Sequence, residues 1–230
     1  VTATTITPTP EQAKSVRQFS QANSKVVSTF LVFLNSENEA CLGTPIHKQW
    51  IEIATLKGSF QNKMKNLRPM LVIQHPSFTW DSAEHDIMLI KLTDPVKLND
   101  QVKLVALPRT TTDRRLNNCT VFGWGWSWKN SNVKPDVEIN QTVFCFPNEY
   151  CQDSPIGKMP FKITENMFCA GSSLESTHSC KEVAAAPILC QYQLQGILSW
   201  SEGYILRGDV GHYTKVSHYT DWILKVINTY

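Results

Sequence analysis

Short apolar runs separated by turn-forming residues constrain the fold of this chain more than any other feature. Such runs lie at residues 26–33, 71–74, 87–92 and 195–200, with Pro, Asn, Asp, Ser or Gly between them. Apolar runs of about four to eight residues with these boundaries are typical of strands. The pattern therefore predicts an all-β protein, built as a sandwich or a barrel.

The two ends of the chain follow different patterns. Near the C-terminus, apolar residues recur at helical spacing: Tyr219, Trp222, Ile223, Val226 and Ile227. With Ser217 or Thr220 available as an N-cap, this spacing predicts an amphipathic helix within residues 217–230. Residues 1–25 are expected to form an extended tail. Its first ten residues are rich in Thr and Pro and have no apolar periodicity, so we expect them to be mobile.

Composition and charge limit the classes of partner. The chain has 230 residues, of which 42% are hydrophobic, and this is enough for a substantial core. A net charge of +2 is too small to indicate nucleic acid as the main partner, and no run approaches the roughly 18 apolar residues of a membrane span. Because the chain begins at Val1 without a leader, we expect the mature form of a secreted, extracellular protein.

A series of motifs runs in order along nearly the whole chain. They are Cys41-Leu-Gly, His47-Lys-Gln-Trp50, Asp86-Ile-Met-Leu-Ile-Lys-Leu92, Cys119-Thr-Val-Phe-Gly-Trp-Gly125, Ile163-Thr-Glu-Asn-Met-Phe-Cys-Ala-Gly171, Leu194-Gln-Gly-Ile-Leu-Ser-Trp200, Gly211-His-Tyr-Thr-Lys-Val216 and Asp221-Trp-Ile223. This ordered set resembles the trypsin-like serine proteases of the chymotrypsin fold. In character it is similar to the mammalian inactive, trypsin-X-like group, several of which are associated with testis and sperm.

The resemblance implies a definite architecture. It consists of two packed six-stranded antiparallel β-barrels, expected at residues 26–107 and 108–216, followed by the helix at residues 217–230. Together these parts would form one S1-type peptidase domain.

The residues at the catalytic positions of this family have been replaced. The loop Cys180-Lys-Glu-Val-Ala-Ala-Ala-Pro stands where the family has Cys-x-Gly-Asp-Ser-Gly-Gly-Pro, so Ala184 takes the place of the nucleophilic serine. Leu56 takes the place of the histidine base, and Asp86 alone keeps its family identity. The chemistry needs a hydroxyl and an imidazole, and loss of either costs roughly 10⁶-fold in rate in a protease that uses the same chemistry. We therefore predict that the protein is not an active enzyme.

The oxyanion and activation positions differ from the family as well. Glu182 stands at a glycine of the oxyanion loop, where a side chain resists the required backbone angles and a carboxylate opposes the developing charge. Val183 stands at the aspartate that pairs with the new N-terminus after activation. Both changes are expected in a chain with no activation step to maintain.

The specificity pocket is also altered in the resemblance. His178 stands at the basal aspartate, Ser201 and Glu202 replace small wall residues, and Gly211 is kept. His178 either fills the vacated pocket or acts as a pH-sensitive contact. In both cases substrate-like docking of Lys or Arg is disfavoured.

Seven cysteines indicate an oxidising compartment, although an odd number cannot pair completely within one chain. The resemblance implies two disulfides, Cys119–Cys190 and Cys151–Cys169. It leaves Cys41, Cys145 and Cys180 as one bridge and one free thiol, or as three reduced cysteines. No Cys-x-x-Cys or His-x-His spacing supports a metal site, and no cofactor is expected.

Two further expectations concern Asp86. Ser199 aligns with the family serine that hydrogen-bonds this aspartate, which would offset the cost of burying it. His85 is not expected to form a catalytic pair with Asp86, because adjacent side chains in a strand point to opposite faces. We expect His85 to be a surface or loop-packing residue.

Two sequons are candidates for glycosylation. Asn140 lies in a stretch that reads as an exposed loop and is the better candidate. Asn118 adjoins an expected disulfide that would hinder its modification.

These observations favour a secreted, monomeric, non-catalytic protease homologue that binds an unidentified protein partner. A reproductive role, such as interaction at the sperm surface, is the leading biological hypothesis. The alternative is a weak serine-type endopeptidase or other hydrolase with an unrecognised nucleophile. A third possibility is a decoy that sequesters protease inhibitors, and the altered pocket argues against it.

Overall fold

The computed structural model describes the backbone of twelve stretches of the chain: residues 5–6, 32–35, 40–54, 69–98, 103–108, 119–127, 137–146, 162–171, 180–182, 187–190, 193–201 and 211–230. The strands are β1 (Thr5–Ile6), β2 (Val32–Asn35), β3 (Ala40–His47), β4 (Trp50–Ile53), β5 (Pro69–Gln74), β6 (Met88–Leu92), β7 (Cys119–Ser127), β8 (Val137–Phe146), β9 (Met167–Gly171), β10 (Cys180–Glu182), β11 (Pro187–Cys190), β12 (Gln193–Ser201) and β13 (Gly211–Lys215). A 3-10 turn at Val216–His218 leads into helix α1 (Thr220–Thr229).

The first sheet contains six strands in the order β1-β5-β6-β4-β3-β2. Its central strands β4 and β6 carry apolar residues on both faces because both faces are covered. Ile51 and Ile53 are fully buried in β4, and Leu89 and Ile90 are fully buried in β6. This explains why the alternation expected of a half-exposed strand is absent here.

Strand β1 corrects one expectation for the N-terminal tail. Thr5 and Ile6 pair antiparallel with Ile73 and Val72 of β5. Both residue types favour extended backbone, and a strand at the edge of a sheet offers backbone groups to an added strand. The Thr-rich composition concealed this β-propensity, so the prediction of a mobile tail is wrong for these two residues.

The second sheet forms a closed ring of six strands. The order β7-β11-β12-β13-β9-β8 is completed by pairing of β7 with β8, and β10 adds a further strand on β7. The prediction of a trypsin-like, two-unit β-fold with a C-terminal helix is therefore confirmed. Three details differ from it: β1 belongs to the first sheet, β10 is added to the second, and no pairing among the described residues closes the first sheet into a barrel.

One apolar core connects the two sheets and the helix. Leu89 of the first sheet, Ile197 of the second and Ile223 of α1 belong to the same buried cluster. The main chain adds a direct link, because the Leu194 amide donates a hydrogen bond to the Ala106 carbonyl at 2.9 Å. The helix thus holds the two halves in a fixed relation around the site between them.

The helix begins differently from the prediction. Its N-cap is Tyr219 without a side-chain capping bond, whereas Ser217 lies in the preceding 3-10 turn. The Thr220 hydroxyl donates to the Pro108 carbonyl at 3.2 Å instead of capping the helix. A bond to a distant segment therefore replaces the local cap. Within the described residues, this helix is too short to cross a membrane, and no other helix qualifies.

Candidate functional site

Asp86 lies where the first half of the protein meets the second. It is fully buried just before β6, and two side chains of the second sheet bind it. Ser199 of β12 donates its hydroxyl to Asp86 Oδ2 at 2.5 Å, as the resemblance implies, and Thr214 of β13 donates to the Asp86 main-chain oxygen at 2.8 Å. The carboxylate therefore joins the two sheets.

A tight turn positions Asp86. Ala83 and His85 have φ angles of 55° and 56°, in the left-handed region that non-glycine residues seldom occupy. The Ile87 amide then donates to the His85 carbonyl at 2.8 Å, and the His75 amide donates to the Ile87 carbonyl at 3.1 Å. Such strained backbone persists because the surrounding contacts hold it in place.

His85 is a packing residue, as predicted, but the reason given for that prediction was wrong. The residue lies in the turn and not in a strand, so strand alternation does not determine its direction. Its Nδ1 lies 3.0 Å from the hydroxyl of Tyr219, and its ring stacks on His75 with 4.8 Å between ring centres. The imidazole therefore contacts the C-terminal segment.

Strands β12 and β13 lie against the Asp86 turn on the side of the second sheet. Trp200 and His212 lie opposite each other and stack at 3.8 Å, with 8° between the ring planes. Burial lowers the pKa of His212 to about 4, so this imidazole is neutral at pH 7. At the end of the pair, Ser201 lies opposite Gly211, so these two residues, both expected in the specificity pocket, are neighbours across the strands.

Gly196 of β12 allows Phe168 and Ile188 to pack closely against this strand. A Cβ at this position would lie 2.5 Å from the ring of Phe168 and 2.6 Å from Ile188 Cγ2. The Phe168 ring in turn stacks on buried Tyr213 at 5.3 Å. Gly196, in the motif of residues 194–200, is therefore explained by close packing.

The structure places only part of the predicted degenerate site. Glu182 lies in extended strand β10, opposite Gly125 of β7. Five other predicted positions fall outside the described residues: Leu56, His178, Val183, Ala184 and Glu202. Among the three expected triad positions, Leu56, Asp86 and Ala184, the structure describes only Asp86.

The cysteines separate into bonded and free side chains. Cys119 and Cys190 form a disulfide with an S–S distance of 2.06 Å, the pair that the resemblance implies. Cys169 is also disulfide-bonded, while its expected partner Cys151 lies outside the described residues. Cys145 is a free, half-buried thiol, and burial raises its pKa to about 11. One of the three unassigned cysteines is therefore reduced and poorly reactive.

The expected loop around Asn140 is a strand. Asn140 lies within β8, where it pairs with Phe122 of β7. The alternation of apolar and polar residues at Val137, Ile139 and Val143 favours a strand, whereas a sequon alone does not distinguish a loop from a strand. The second sequon, at Asn118, lies outside the described residues.

Glu52 is a buried carboxyl that the sequence analysis missed. It is 1% exposed in β4, directly opposite buried Thr44 of β3, and both carboxyl oxygens lack a hydrogen-bond partner. Burial raises the pKa of Glu52 to about 8, which makes the neutral acid the main form at pH 7. The sequence signal for it is a glutamate placed between two isoleucines, Ile51 and Ile53.

The described stretches hold no candidate metal centre. They contain no group of three or more His, Cys, Asp or Glu side chains arranged to hold an ion.

Two packed β-units that meet at a buried, serine-bonded aspartate define a protein of the chymotrypsin-fold class. The family model for trypsin matches residues 18–223, and the chain therefore belongs to the trypsin family. Human "Serine protease 58" is 35% identical over 86% of this chain and 87% of its own length, and bovine "Probable inactive serine protease 58" is 31% identical over 88% of each chain. Pig "Trypsin" is 31% identical over 96% of this chain and 98% of its own length.

A solved structure supports the same assignment. Neuropsin, a serine protease expressed in the limbic system of mouse brain, superposes with a TM-score of 0.70 at 27% identity. The alignment covers 87% of this chain and 95% of neuropsin.

Proposed function

We propose that this protein is a secreted trypsin-family protein that has lost catalysis and acts by binding a protein partner. The observation that carries the proposal is the pair of residues at the base and nucleophile positions, Leu56 and Ala184. Neither side chain can take up a proton or attack a carbonyl. Glu182 and Val183 extend the change to the oxyanion and activation positions.

The surroundings of Asp86 support a structural role for the retained member of the triad. Its carboxylate accepts from Ser199 and its main-chain oxygen accepts from Thr214, so it links β6 to β12 and β13. A carboxylate with this role is maintained for folding even when catalysis has been lost. The retention of Asp86 is therefore compatible with an inactive protein.

The names of relatives agree with this proposal without deciding it. Bovine "Probable inactive serine protease 58" is 31% identical over 88% of this chain, and pig "Trypsin" is equally identical over 96% of it. Sequence similarity thus supports the scaffold, and the substituted positions support the loss of activity.

Secretion is part of the proposal because of the disulfides. Cys119–Cys190 and the bonded Cys169 are stable in an oxidising compartment and would be reduced in most cytosols. A reproductive setting, implied by the resemblance to testis-associated relatives, completes the proposal. Immunolocalisation in testis, sperm and reproductive fluids tests that setting directly, and absence from all three would refute it.

Active-site labelling tests the loss of catalysis. A fluorophosphonate probe should not label the natural protein, because it requires an activated serine. The matched variant carries Leu56→His, Glu182→Gly, Val183→Asp and Ala184→Ser, which restore the family residues, and labelling of this variant would show that the scaffold still presents the site. Specific labelling of the natural protein would favour the alternative hydrolase with an unrecognised nucleophile.

A further inference from the structure

Two stacked histidines connect the turn before Asp86 to the C-terminal segment. The rings of His75 and His85 lie 4.8 Å apart and within 14° of parallel. The His75 ring also lies 4.8 Å from the ring of Trp222 and meets Tyr219 edge-on at 5.3 Å. The His85 Nδ1 lies within hydrogen-bond distance of the Tyr219 hydroxyl, at 3.0 Å. The histidine pair therefore lies between two parts of the chain that are distant in sequence.

The hydrogen bonds of His75 require its neutral form. The Ser77 amide donates to His75 Nδ1 at 3.2 Å, so this nitrogen carries a lone pair and no proton. The Phe78 amide donates to the His75 carbonyl at 3.0 Å in the same turn. Protonation of Nδ1 would remove the Ser77 bond. Burial, and secondly the nearby His85, lower the pKa of His75 to about 4.

The charged groups around the pair are already bonded to other residues. On the same turn, Glu84 accepts from Asn166 Nδ2 at 2.9 Å, and Asp86 accepts from Ser199. On the C-terminal side, burial and then these two carboxylates raise the pKa of Tyr219, which stays a neutral phenol. The other titratable groups of that side are His218, which contacts Asn166 Oδ1 at 3.0 Å, and exposed Asp221. The two carboxylates thus have other hydrogen-bond partners on the second half of the protein.

We propose that the stacked pair His75–His85 is an acid-releasable clasp that holds residues 75–86 against residues 219–222. Protonated His75 loses its bond to Ser77, and its charge is disfavoured in this half-buried position against the rings of His85 and Trp222. Acid therefore favours an open turn in which the rings separate and become hydrated. The folded pKa of His75 is depressed from 6.5 to about 4, so the clasp is closed above pH 6.5 and is progressively released as the pH falls towards 4.

His47 provides a matched control within the same molecule. Its Nδ1 also accepts from the amide two residues along, Gln49, at 3.3 Å. Unlike half-buried His75, His47 is exposed, at the end of β3. The His47→Gln variant removes an exposed imidazole and the same type of bond without changing the stacked pair.

Hydrogen exchange of the amides in residues 75–86, corrected for the intrinsic pH dependence of exchange, tests the clasp. We expect protection in the natural protein to fall by about tenfold or more between pH 7.5 and pH 4.5, since one pKa unit corresponds to tenfold. His75→Phe keeps a flat ring against Trp222 and cannot titrate, so its protection should change less than about twofold by the same measure. His47→Gln should behave like the natural protein.

Equal acid loss in His75→Phe and the natural protein, or no acid loss in the natural protein, would overturn the proposal. Protection of helix α1 at pH 7.5 verifies that each variant is folded. If His75→Phe does not fold, His85→Gln replaces it, because the amide can still bond to Tyr219 without adding a charge. The acid loss should then shrink, and an unchanged loss would also overturn the proposal.

Discussion

Asp86 and Glu52, the two buried carboxyls among the described residues of the first half, have opposite surroundings. Asp86 lies at the boundary with the second sheet and receives a hydroxyl hydrogen bond from Ser199. Glu52 lies within the first sheet, opposite Thr44, and receives none. Burial alone raises the pKa of Glu52 to about 8.

The difference shows what a carboxyl can do after catalysis is lost. A buried carboxylate with donors connects two structural units and is costly to remove, whereas one without donors keeps its proton and weakens the fold when it ionises. Asp86 is therefore explained by folding without reference to proteolysis. Three substitutions test this difference between Asp86 and Glu52, and they are given in order of decreasing expected effect on stability.

Replacement of Glu52 by leucine should have the largest effect, and it should stabilise the protein. In the unfolded chain the carboxyl ionises above its ordinary pKa of 4.5, while in the folded protein it retains its proton up to about 8, so natural stability falls as the pH rises between these values. Glu52→Leu should remove this fall and gain about 3–5 kcal/mol at pH 8, at roughly 1.4 kcal/mol per pKa unit. Denaturant unfolding at pH 5 and pH 8 measures the gain.

The control for Glu52 is an exposed glutamate. Glu165→Leu changes the same side chain in an exposed turn and should leave the pH dependence unchanged. If Glu52→Leu is less stable than the natural protein at pH 8, Glu52 has a partner that stabilises its charge.

Removal of the Ser199 hydroxyl should have the next largest effect, with the opposite sign. Ser199→Ala leaves the buried Asp86 carboxylate without this donor, and a hydrogen bond to a charged group contributes about 1.5–3 kcal/mol. Urea unfolding at pH 7 should show a loss of that size. Ser217→Ala, at a half-buried serine of the 3-10 turn, should change stability by less than about 0.5 kcal/mol. Equal losses in the two variants would remove the special role assigned to Asp86.

Thr214→Val should have the smallest effect of the three. It deletes the hydroxyl that donates to the main-chain oxygen of Asp86 while keeping the side-chain shape. Because donor and acceptor are both neutral, we expect a loss of about 1 kcal/mol. Thr229→Val, which removes an exposed hydroxyl bond to the Lys225 carbonyl, is the control. If Thr214→Val lost more stability than Ser199→Ala, the hydrogen bond to the Asp86 main chain, and not the one to its carboxylate, would contribute most to joining the two sheets.

Much of the fold could be predicted because it depends on patterns that the chain shows locally or on motifs shared with a family. Apolar runs predicted strands such as β6 and β12, and helical spacing predicted α1. The motif around Ser199 implied its bond to Asp86, and the position of Cys119 implied its disulfide with Cys190. These features need little knowledge of tertiary contacts.

The remaining features depend on contacts that no local pattern encodes. Pairing of Thr5 and Ile6 with β5 needs the edge of a sheet formed much later in the chain. The Thr220 hydroxyl bonds to Pro108 rather than capping its helix, and the His75–His85 stack forms only when the turn before Asp86 folds back. The lack of hydrogen-bond partners at Glu52 likewise depends on tertiary structure, because it is known only once the residues around the carboxyl are placed.

Cleavage of a peptide library by purified protein tests the central claim most directly. The natural protein should release no products above a buffer blank, while the variant with Leu56→His, Glu182→Gly, Val183→Asp and Ala184→Ser is the comparison. Cleavage by the natural protein that persists through repurification would contradict the account and require a nucleophile other than Ala184.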